Sequence, residues 1–309
     1  MATPQQAQRL SSSAGPATFI VALDAMGGDF GPSETVPGAI KAAREQGVAV
    51  LLLGDEEPVR REMAKHPLDG LPVQLVPSQG VIEETDSPVQ AMREKPRASV
   101  LEAAKLVKAG RAQALVSMGS TGAGMATAAL VFGVLEGVDR PAIGGPILAP
   151  LSNAVILDLG SNVDCRPSQL LGFGAIGVAF ARRVQGIQNP RVGILSVGAE
   201  EGKGNRQVKE AYLLFKQSSL NFVGNIEGND LFQDKADVIV CDGFVGNILL
   251  KFGEGLGMAL AQRFAKSAGS LLPAQAMQKL GAELSSMTNA AELWGGGPLF
   301  GVNGIAVIG

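Results

Sequence analysis

Short apolar runs alternate along the chain with longer segments in which apolar residues recur at helical spacing. The apolar runs read as buried strands, and they cover residues 19–23, 48–53, 73–76, 112–116, 144–148, 154–157, 191–197, 222–224, 238–241 and 305–308. The helical patterns cover residues 32–46, 58–65, 99–109, 125–135, 168–185 and 207–215. Strands that alternate with helices in this way predict an α/β protein with a mostly parallel sheet and helices on both faces.

Three of the predicted strands end in an aspartate that is followed by a polar, glycine-containing turn. The three stretches are FIVALDAMGGD at 19–29, AVILDLGSN at 154–162 and VIVCDGFVGN at 238–247. Open α/β sheets bind ligands outside the carboxyl ends of their strands. We therefore expect the three loops to converge on one site. After the third turn, a helix is predicted to begin at Ile248.

Two further loops carry groups that suit an anion. The loop Ser117–Gly124, SMGSTGAG, offers glycine backbone, hydroxyl groups and the N–H groups of the helix that follows. It lacks the lysine of a nucleotide-binding P-loop, and a tight connection between strand and helix gives the same pattern. The loop GAEEGKGN at 198–205 places Lys203 and Asn205 after a strand. A solvated run of charges has this composition too.

The last third of the chain contains a long helical segment with an apolar stripe. It runs from Ile248 to about Ser286 and is interrupted near 270–273, which predicts a helical hairpin at about 248–290. A hairpin that packs on the protein body or on a dimer mate is the simpler interpretation, and contact with a membrane or an acyl carrier is the alternative. The motif GFGAIG at 172–177 lies inside a predicted helix, so its glycines are expected to permit close packing.

Composition narrows the class of protein. The chain has 309 residues, of which 46% are apolar and 18% charged, as in a compact globular protein. A net charge of −3 without a basic run argues against nucleic-acid binding. Its two cysteines are not in a CxxC motif, which favours a reducing cytoplasm. No apolar stretch is expected to span a bilayer. Residues 1–17 are interpreted as a disordered tail, and residues 18–309 as one domain.

The residue types available in the loops limit the chemistry. The single histidine, His66, lies in a turn flanked by prolines, which disfavours a Ser-His-Asp or Cys-His mechanism and excludes a histidine-rich metal site. Cys165 and Cys241 have no neighbouring histidine in the sequence to deprotonate them. The loops supply carboxylates, amides and lysines. This set favours direct attack of one bound substrate on another, with positioning and charge stabilisation as the source of catalysis.

Taken together, the motifs resemble the bacterial phosphate acyltransferase family. The matching stretches are DAMGGD at 24–29, DRPAI at 139–143, LDLGSNVDC at 157–165, GKGN at 202–205, NFVGNIEG at 221–228, CDGFVGN at 241–247 and NGI at 303–305. They occur in order over residues 18–309. The block from Asp242 through Gly246 and Asn247 to Lys251 is also similar to its counterpart in phosphotransacetylases. Ser120 departs from the family, which usually has asparagine at that position.

The resemblance implies a fold, an activity and partners. The implied fold is a three-layer α/β/α protein of the isocitrate/isopropylmalate dehydrogenase type, with a projecting helical hairpin. The implied reaction is transfer of a fatty acyl group from acyl-carrier protein to inorganic phosphate, without metal or cofactor, which gives an acyl phosphate for phospholipid synthesis. The family is homodimeric, cytoplasmic and peripherally associated with membrane, and its product is consumed by a glycerol-phosphate acyltransferase.

The resemblance also implies roles for individual residues. Those expected to act in catalysis are Lys203, Asn205, Asp242, Asn247 and Lys251. Those expected to contact phosphate or substrate are Asp24, Gly27, Gly28, Ser120, Thr121, Asn162 and Asn229. Two alternatives stay open: an NAD- and metal-dependent dehydrogenase of the same fold, and a non-catalytic scaffold that binds carrier protein. A dehydrogenase would need clustered arginines and grouped aspartates as metal ligands, but the arginines are not clustered in the loops and no dinucleotide-binding motif is apparent.

Overall fold

A computed structural model describes residues 19–148, 152–268, 273–288 and 295–309. The predicted tail at 1–17 and most of the predicted interruption of the hairpin lie outside these residues. The chain forms two compact units, one made of the described residues up to Leu135 together with Val302–Gly309, and one made of Glu136–Gly301. The single domain expected over 18–309 stays a prediction.

Strands and helices alternate along the chain as the apolar pattern predicts. The strands are β1 (Ile20–Asp24), β2 (Ala49–Gly54), β3 (Val73–Pro77), β4 (Ala114–Ser117), β5 (Ala142–Gly145), β6 (Val155–Leu157), β7 (Arg191–Leu195), β8 (Asn221–Ile226), β9 (Val238–Val240), β10 (Gly297–Phe300) and β11 (Ile305–Ile308). The helices are α1 (Pro32–Gln46), α2 (Glu56–Met63), α3 (Pro88–Glu94), α4 (Ser99–Lys108), α5 (Thr121–Phe132), α6 (Pro167–Arg183), α7 (Arg206–Gln217), α8 (Gly243–Ala268) and α9 (Ala274–Thr288). A short 3₁₀ helix covers Gly228–Phe232.

The first unit contains a sheet with strand order β3-β2-β1-β4-β11, in which every neighbouring pair is parallel. The strands are apolar throughout: all six residues of β2 are buried. They pack against apolar residues of α1, of which Val36 and Ile40 are buried. The parallel arrangement brings the loops after β1 and β4 to the same edge of this sheet.

The second unit contains a sheet with strand order β10-β5-β6-β9-β7-β8. Strand β5 pairs antiparallel with β10 and β6, and the remaining pairs are parallel. The loops after β6, β9, β7 and β8 therefore leave the same edge of the sheet. The core beneath them is formed by α6 and α7, through Phe173 and Phe215. The predicted α/β fold with a mostly parallel sheet is confirmed.

The glycines of GFGAIG permit close packing inside α6, as expected from their position. A Cβ added to Gly174 would lie 2.6 Å from the ring of Phe215, and one added to Gly177 would overlap the side chain of Val238. Both glycines are buried. The motif is therefore a packing feature of the helix, which rests on α7 and on strand β9.

Several element boundaries differ from those that the sequence predicts. Helix α8 begins at Gly243 and not at Ile248, and α5 begins at Thr121 and not at Met125, because a side chain from the preceding residue caps each helix. The sequence did not predict α3, the 3₁₀ helix or β10. Of the hairpin, the structure describes α8 and α9, which pack together: a Cβ on Gly257 would overlap the side chain of Thr288.

The sequence contains no uninterrupted apolar stretch of membrane-spanning length. In the described part of the chain, one helix, Gly243–Ser267, is long and apolar enough to cross a membrane by length and composition alone. The helix carries Lys251, Glu254, Arg263 and Lys266 along its length. Length and composition do not distinguish a membrane helix from one that packs against protein.

Candidate active site

In the first unit, the loops after β1 and β4 meet around the buried carboxylate of Asp24. Its Oδ2 accepts a hydrogen bond from Ser117 Oγ at 2.8 Å, and its Oδ1 accepts from the Met26 N–H at 3.2 Å. A Cβ added to Gly27 would lie 2.6 Å from the backbone N of Gly119. Only glycine allows these two loops to approach so closely, and the Gly119 N–H donates to Ser117 Oγ at 3.3 Å.

The pKa of the Asp24 carboxyl reflects its buried position between the two loops. Burial raises the pKa of its carboxyl, and hydrogen bonds from Ser117 and the backbone of Met26 partly offset this rise. Because both carboxylate oxygens accept hydrogen bonds from the chain, Asp24 ties the two loops together. Gly28, with φ +85, continues the same loop beside the backbone of Met118.

Ser120 caps the helix that follows β4. Its Oγ accepts a hydrogen bond from the Ala123 N–H at 3.3 Å, and the side chain is buried. Thr121 is the first residue of α5 and is exposed. The N–H groups at the start of a helix lack intrahelical acceptors and attract anions. The predicted phosphate loop is thus shorter than the sequence suggests, and it ends at the first turn of α5.

In the second unit, the loops after β6 and β9 meet around a second buried carboxylate, that of Asp158. Its oxygens accept hydrogen bonds from the Asn162 N–H at 2.6 Å, from Asn162 Nδ2 at 2.9 Å, and from the N–H groups of Ser161 and Ile143 at 3.2 Å each. Burial raises the pKa of this carboxyl, and the bonds from Asn162 and Ser161 oppose the rise. The carboxylate is therefore stabilised by neutral N–H donors and does not depend on a cationic side chain.

Asn162 is engaged inside the loop that contains it. Besides its bond to Asp158, Nδ2 donates to the carbonyl oxygen of Pro141 at 2.9 Å. The carbonyl oxygen of Asn162 accepts from the Gly243 N–H at 2.7 Å, which joins the loop to the start of α8. Both amide hydrogens of Asn162 therefore have acceptors within the protein.

The start of α8 carries three of the predicted catalytic residues. Asp242 caps the helix, since its Oδ1 accepts from the Val245 N–H at 2.8 Å. Asn247 is exposed and lies against Gly160, where an added Cβ would be 3.4 Å from Asn247 Oδ1. Lys251 follows one turn later on the same helix face. Its Nζ forms an exposed ion pair with Glu254 at 2.9 Å.

The loop 198–205 after β7 presents Lys203 to solvent. The stem of this lysine packs on Gly198, where an added Cβ would lie 2.8 Å from Lys203 Cγ. Asn205 caps α7 through the Val208 N–H at 2.8 Å. Asn225, buried in β8, donates from Nδ2 to the Glu200 carbonyl oxygen at 2.8 Å and so holds the loop from below. Asn229 is exposed in the 3₁₀ helix after β8.

The two thiols are poor nucleophiles. Burial, with a smaller contribution from the Asp158 charge, raises the pKa of the Cys165 thiol to about 12. Burial likewise raises the pKa of the Cys241 thiol. Within the residues that the structure describes, no three His, Cys, Asp or Glu side chains form a group that could hold a metal ion.

The structure places the predicted residues at two sheet edges, one in each unit. Asp24, Gly27, Gly28, Ser120 and Thr121 share one edge in the first unit. The second group lies at the carboxyl edge of the other sheet: Asn162, Lys203, Asn205, Asn229, Asp242, Asn247 and Lys251. Of the three aspartate loops expected to converge, those after β6 and β9 do meet, whereas the loop after β1 meets the loop after β4. Sequence reasoning placed Asp158 among the loop groups of the expected site without an individual role, and it gave no role to Asn225, although its place near the end of β8 is a signal.

Comparison with known proteins identifies the family. The family model described as "Fatty acid synthesis protein" matches residues 19–309. A phosphate acyltransferase from Nitratidesulfovibrio vulgaris is 45% identical over 298 residues, which cover 94% of this chain and 85% of that protein. The chain belongs to the phosphate acyltransferase family. Another phosphate acyltransferase, from Pelotomaculum thermopropionicum, is 46% identical over 296 residues, with 93% of this chain and 85% of that protein covered.

Solved structures show that this phosphate acyltransferase chain shares its fold with two enzyme classes. A phosphotransacetylase from Streptococcus pyogenes superimposes with a TM-score of 0.57 at 18% identity, over 83% of this chain and 87% of that one. A 4-hydroxythreonine-4-phosphate dehydrogenase from Klebsiella pneumoniae superimposes with a TM-score of 0.54 at 15% identity, over 94% of this chain and 90% of that one. The predicted fold is confirmed. Since one fold serves transferases and dehydrogenases, function must be argued from the site.

Proposed function

We propose that this protein transfers a fatty acyl group from acyl-carrier protein to inorganic phosphate and releases an acyl phosphate for phospholipid synthesis. Family membership makes the chain an acyltransferase. The observation that carries the proposal within the structure is the set of amide and lysine side chains and helix N-termini at one sheet edge, beside thiols too weakly acidic to act as nucleophiles. Such a site binds and orients two substrates and leaves the chemistry to them.

The proposed reaction needs no covalent intermediate on the protein. A phosphate oxygen attacks the thioester carbonyl carbon, and a C–O bond forms as the carbonyl becomes a tetrahedral oxyanion. The oxyanion then collapses, the C–S bond breaks, and the carrier thiolate leaves and takes up a proton. Helix N-termini and cationic side chains stabilise charge that develops on oxygen in such a transition state.

We assign the side chains at the second sheet edge as follows. Lys203 and Lys251 neutralise phosphate or the oxyanion, and Asn247 and Asn229 orient them. Asp242 and Asn205 place the N–H groups of α8 and α7, which they cap. We assign the glycine and hydroxyl groups at the edge of the first unit, from Gly27 to Thr121, to phosphate contact. Asp24 and Asn162 contribute by holding their loops in place.

The test measures thiol release from acyl-carrier protein with and without phosphate. We expect release only when phosphate is present, and release at equal rates without phosphate would replace the proposal with a thioesterase. Reduction of NAD by a hydroxy acid would instead support a dehydrogenase of the same fold. Lys203→Ala and Asn247→Ala should each lower kcat/KM by about 100-fold, as expected for loss of a group that stabilises the transition state. Lys209→Ala, which alters an exposed lysine of α7, should leave it within about threefold.

We also propose that the protein works in the cytoplasm, as a homodimer in peripheral contact with membrane, and that a glycerol-phosphate acyltransferase consumes its product. Exposed apolar side chains on α8 support an apolar partner surface. Flotation of the purified chain with anionic phospholipid vesicles measures the membrane contact. Absence of the protein from the vesicle fraction at low salt would contradict it.

A further inference from the structure

The carboxylate of Asp158 organises the loop that supports the first turn of α8. Asp158 is fully buried, and its four donors come from three residues, two of which belong to the turn 158–162. A second bond fixes the same turn, since Ser161 Oγ accepts from the Ile143 N–H at 2.8 Å. The carboxylate thus sets the path of the chain through Gly160, Ser161 and Asn162.

That turn is fitted against α8 with no space left between them. A Cβ added to Gly243 would lie 2.8 Å from the backbone N of Asn162 and 2.9 Å from Asp158 Oδ2. A Cβ added to Gly246 would overlap the carbonyl oxygen of Asp158. Asn247 rests on Gly160, as described above. A shift of the turn would therefore displace the helix start and the exposed amide of Asn247 with it.

We infer that Asp158 is a positioning residue for acyl transfer, which acts through the turn 158–162 to fix the first turn of α8 and the exposed amide of Asn247. This inference rests on the proposed function. Asp158 is buried and has no contact with solvent, so it affects the reaction only through the residues that it holds in position. A displacement of catalytic groups by about 1 Å can cost on the order of 100-fold in rate.

The carboxylate can be replaced by an amide of almost the same shape. In Asp158→Asn, an NH₂ group would face N–H donors that now have an oxygen acceptor, so at least one donor would lose its partner. Asp237→Asn is a matched control in the same unit. Asp237 accepts three hydrogen bonds, against four at Asp158, and all three come from Arg191. It lies at the amino ends of β7 and β9, away from the candidate site.

The experiment measures kcat and the KM for phosphate in thiol release from acyl-carrier protein, together with the fraction folded. We expect Asp158→Asn to lower kcat per folded molecule by about 100-fold with less than about a threefold change in KM. Asp237→Asn should keep kcat within about threefold even where it lowers the melting temperature. A kcat for Asp158→Asn within threefold of the unaltered protein, or an equal loss in both variants, would overturn the inference.

Hydrogen exchange separates this inference from the proposed function. Asp158→Asn should accelerate exchange of the Val245, Gly246 and Asn247 amides by about tenfold or more and leave α7 unchanged, whether or not the protein transfers acyl groups. Unchanged exchange in these amides would show that Asp158 does not position the helix. If Asp158→Asn does not fold, Ser161→Ala decides by the same two measurements, with an expected loss in kcat of about three- to tenfold. No loss in that folded variant would overturn the inference.

Discussion

At the scale of single residues, several side chains that the sequence predicts to bind or transform substrate also stabilise local structure. Ser120, Asn205 and Asp242 each cap the helix that follows a strand. A capping oxygen satisfies one N–H group of the first turn and leaves others for a ligand. Loss of activity after substitution of these residues therefore has two origins, one in folding and one in binding.

Asn205 allows the two origins to be separated. Asn205→Ala should lower the free energy of unfolding by about 1 kcal/mol, because the Val208 N–H loses its acceptor. Asn205→Asp keeps an acceptor for that N–H, so its free energy of unfolding should lie within about 0.5 kcal/mol of that of the unaltered protein. The added negative charge beside Lys203 should weaken phosphate binding. Urea denaturation and the KM for phosphate measure the two effects. Equal stability of all three proteins would show that the cap contributes nothing.

At the scale of elements, strands were easier to predict than helix starts. Buried strands such as β2 and β9 are short apolar runs, and burial on both sides accounts for that composition. The start of α8 was predicted five residues late, at Ile248 instead of Gly243, because Gly243 and Gly246 are typical of a turn. In the structure, packing against the turn 158–162 accompanies a helix that already begins at Gly243. The glycines are helical, and they are small because the turn 158–162 leaves no space for a side chain.

Glycine substitution in two helices tests this explanation. Alanine normally stabilises a helix interior by about 1 kcal/mol relative to glycine. Gly172→Ala in α6, which has no atom within 4 Å of the added Cβ, should gain roughly 0.5–1 kcal/mol in free energy of unfolding. Gly246→Ala should instead lose about 2 kcal/mol, since its Cβ would overlap the Asp158 carbonyl. Stabilisation by both substitutions would mean that the helix start is free to shift.

At the scale of the whole molecule, the sequence predicts more of the fold than of the candidate site. The order of strands and helices and the mostly parallel pairing are contained in the apolar pattern. The division into two compact units is not, since Val302–Gly309 belongs with residues from the other end of the chain. Nor does the sequence separate a residue that contacts substrate from one that holds a loop. Asn162 and Asn247 have similar motif contexts, yet the first is buried and bonded twice, and the second is exposed.

The exposed face of α8 supports a prediction about assembly. Phe244, Ile248, Phe252 and Leu256 recur at every fourth residue and are exposed, with Phe252 at 64%. Such a stripe fits a second copy of the chain. Phe252→Glu should shift the sedimentation coefficient from that of a dimer to that of a monomer, and Phe232→Glu, at an exposed phenylalanine outside α8, should not. A monomeric unaltered protein at micromolar concentration would contradict the prediction.

The weak acidity of the two thiols affects how the protein can be handled and how it withstands oxidants. Because the pKa of the Cys165 thiol is raised to about 12 and that of the Cys241 thiol is raised too, few of these side chains are thiolates at neutral pH. Peroxide and disulfide reagents react with thiolates. A colorimetric disulfide reagent present during turnover should therefore count the carrier's thiol without labelling the protein. The same weak acidity should let the enzyme survive oxidative stress that inactivates enzymes with an acidic cysteine.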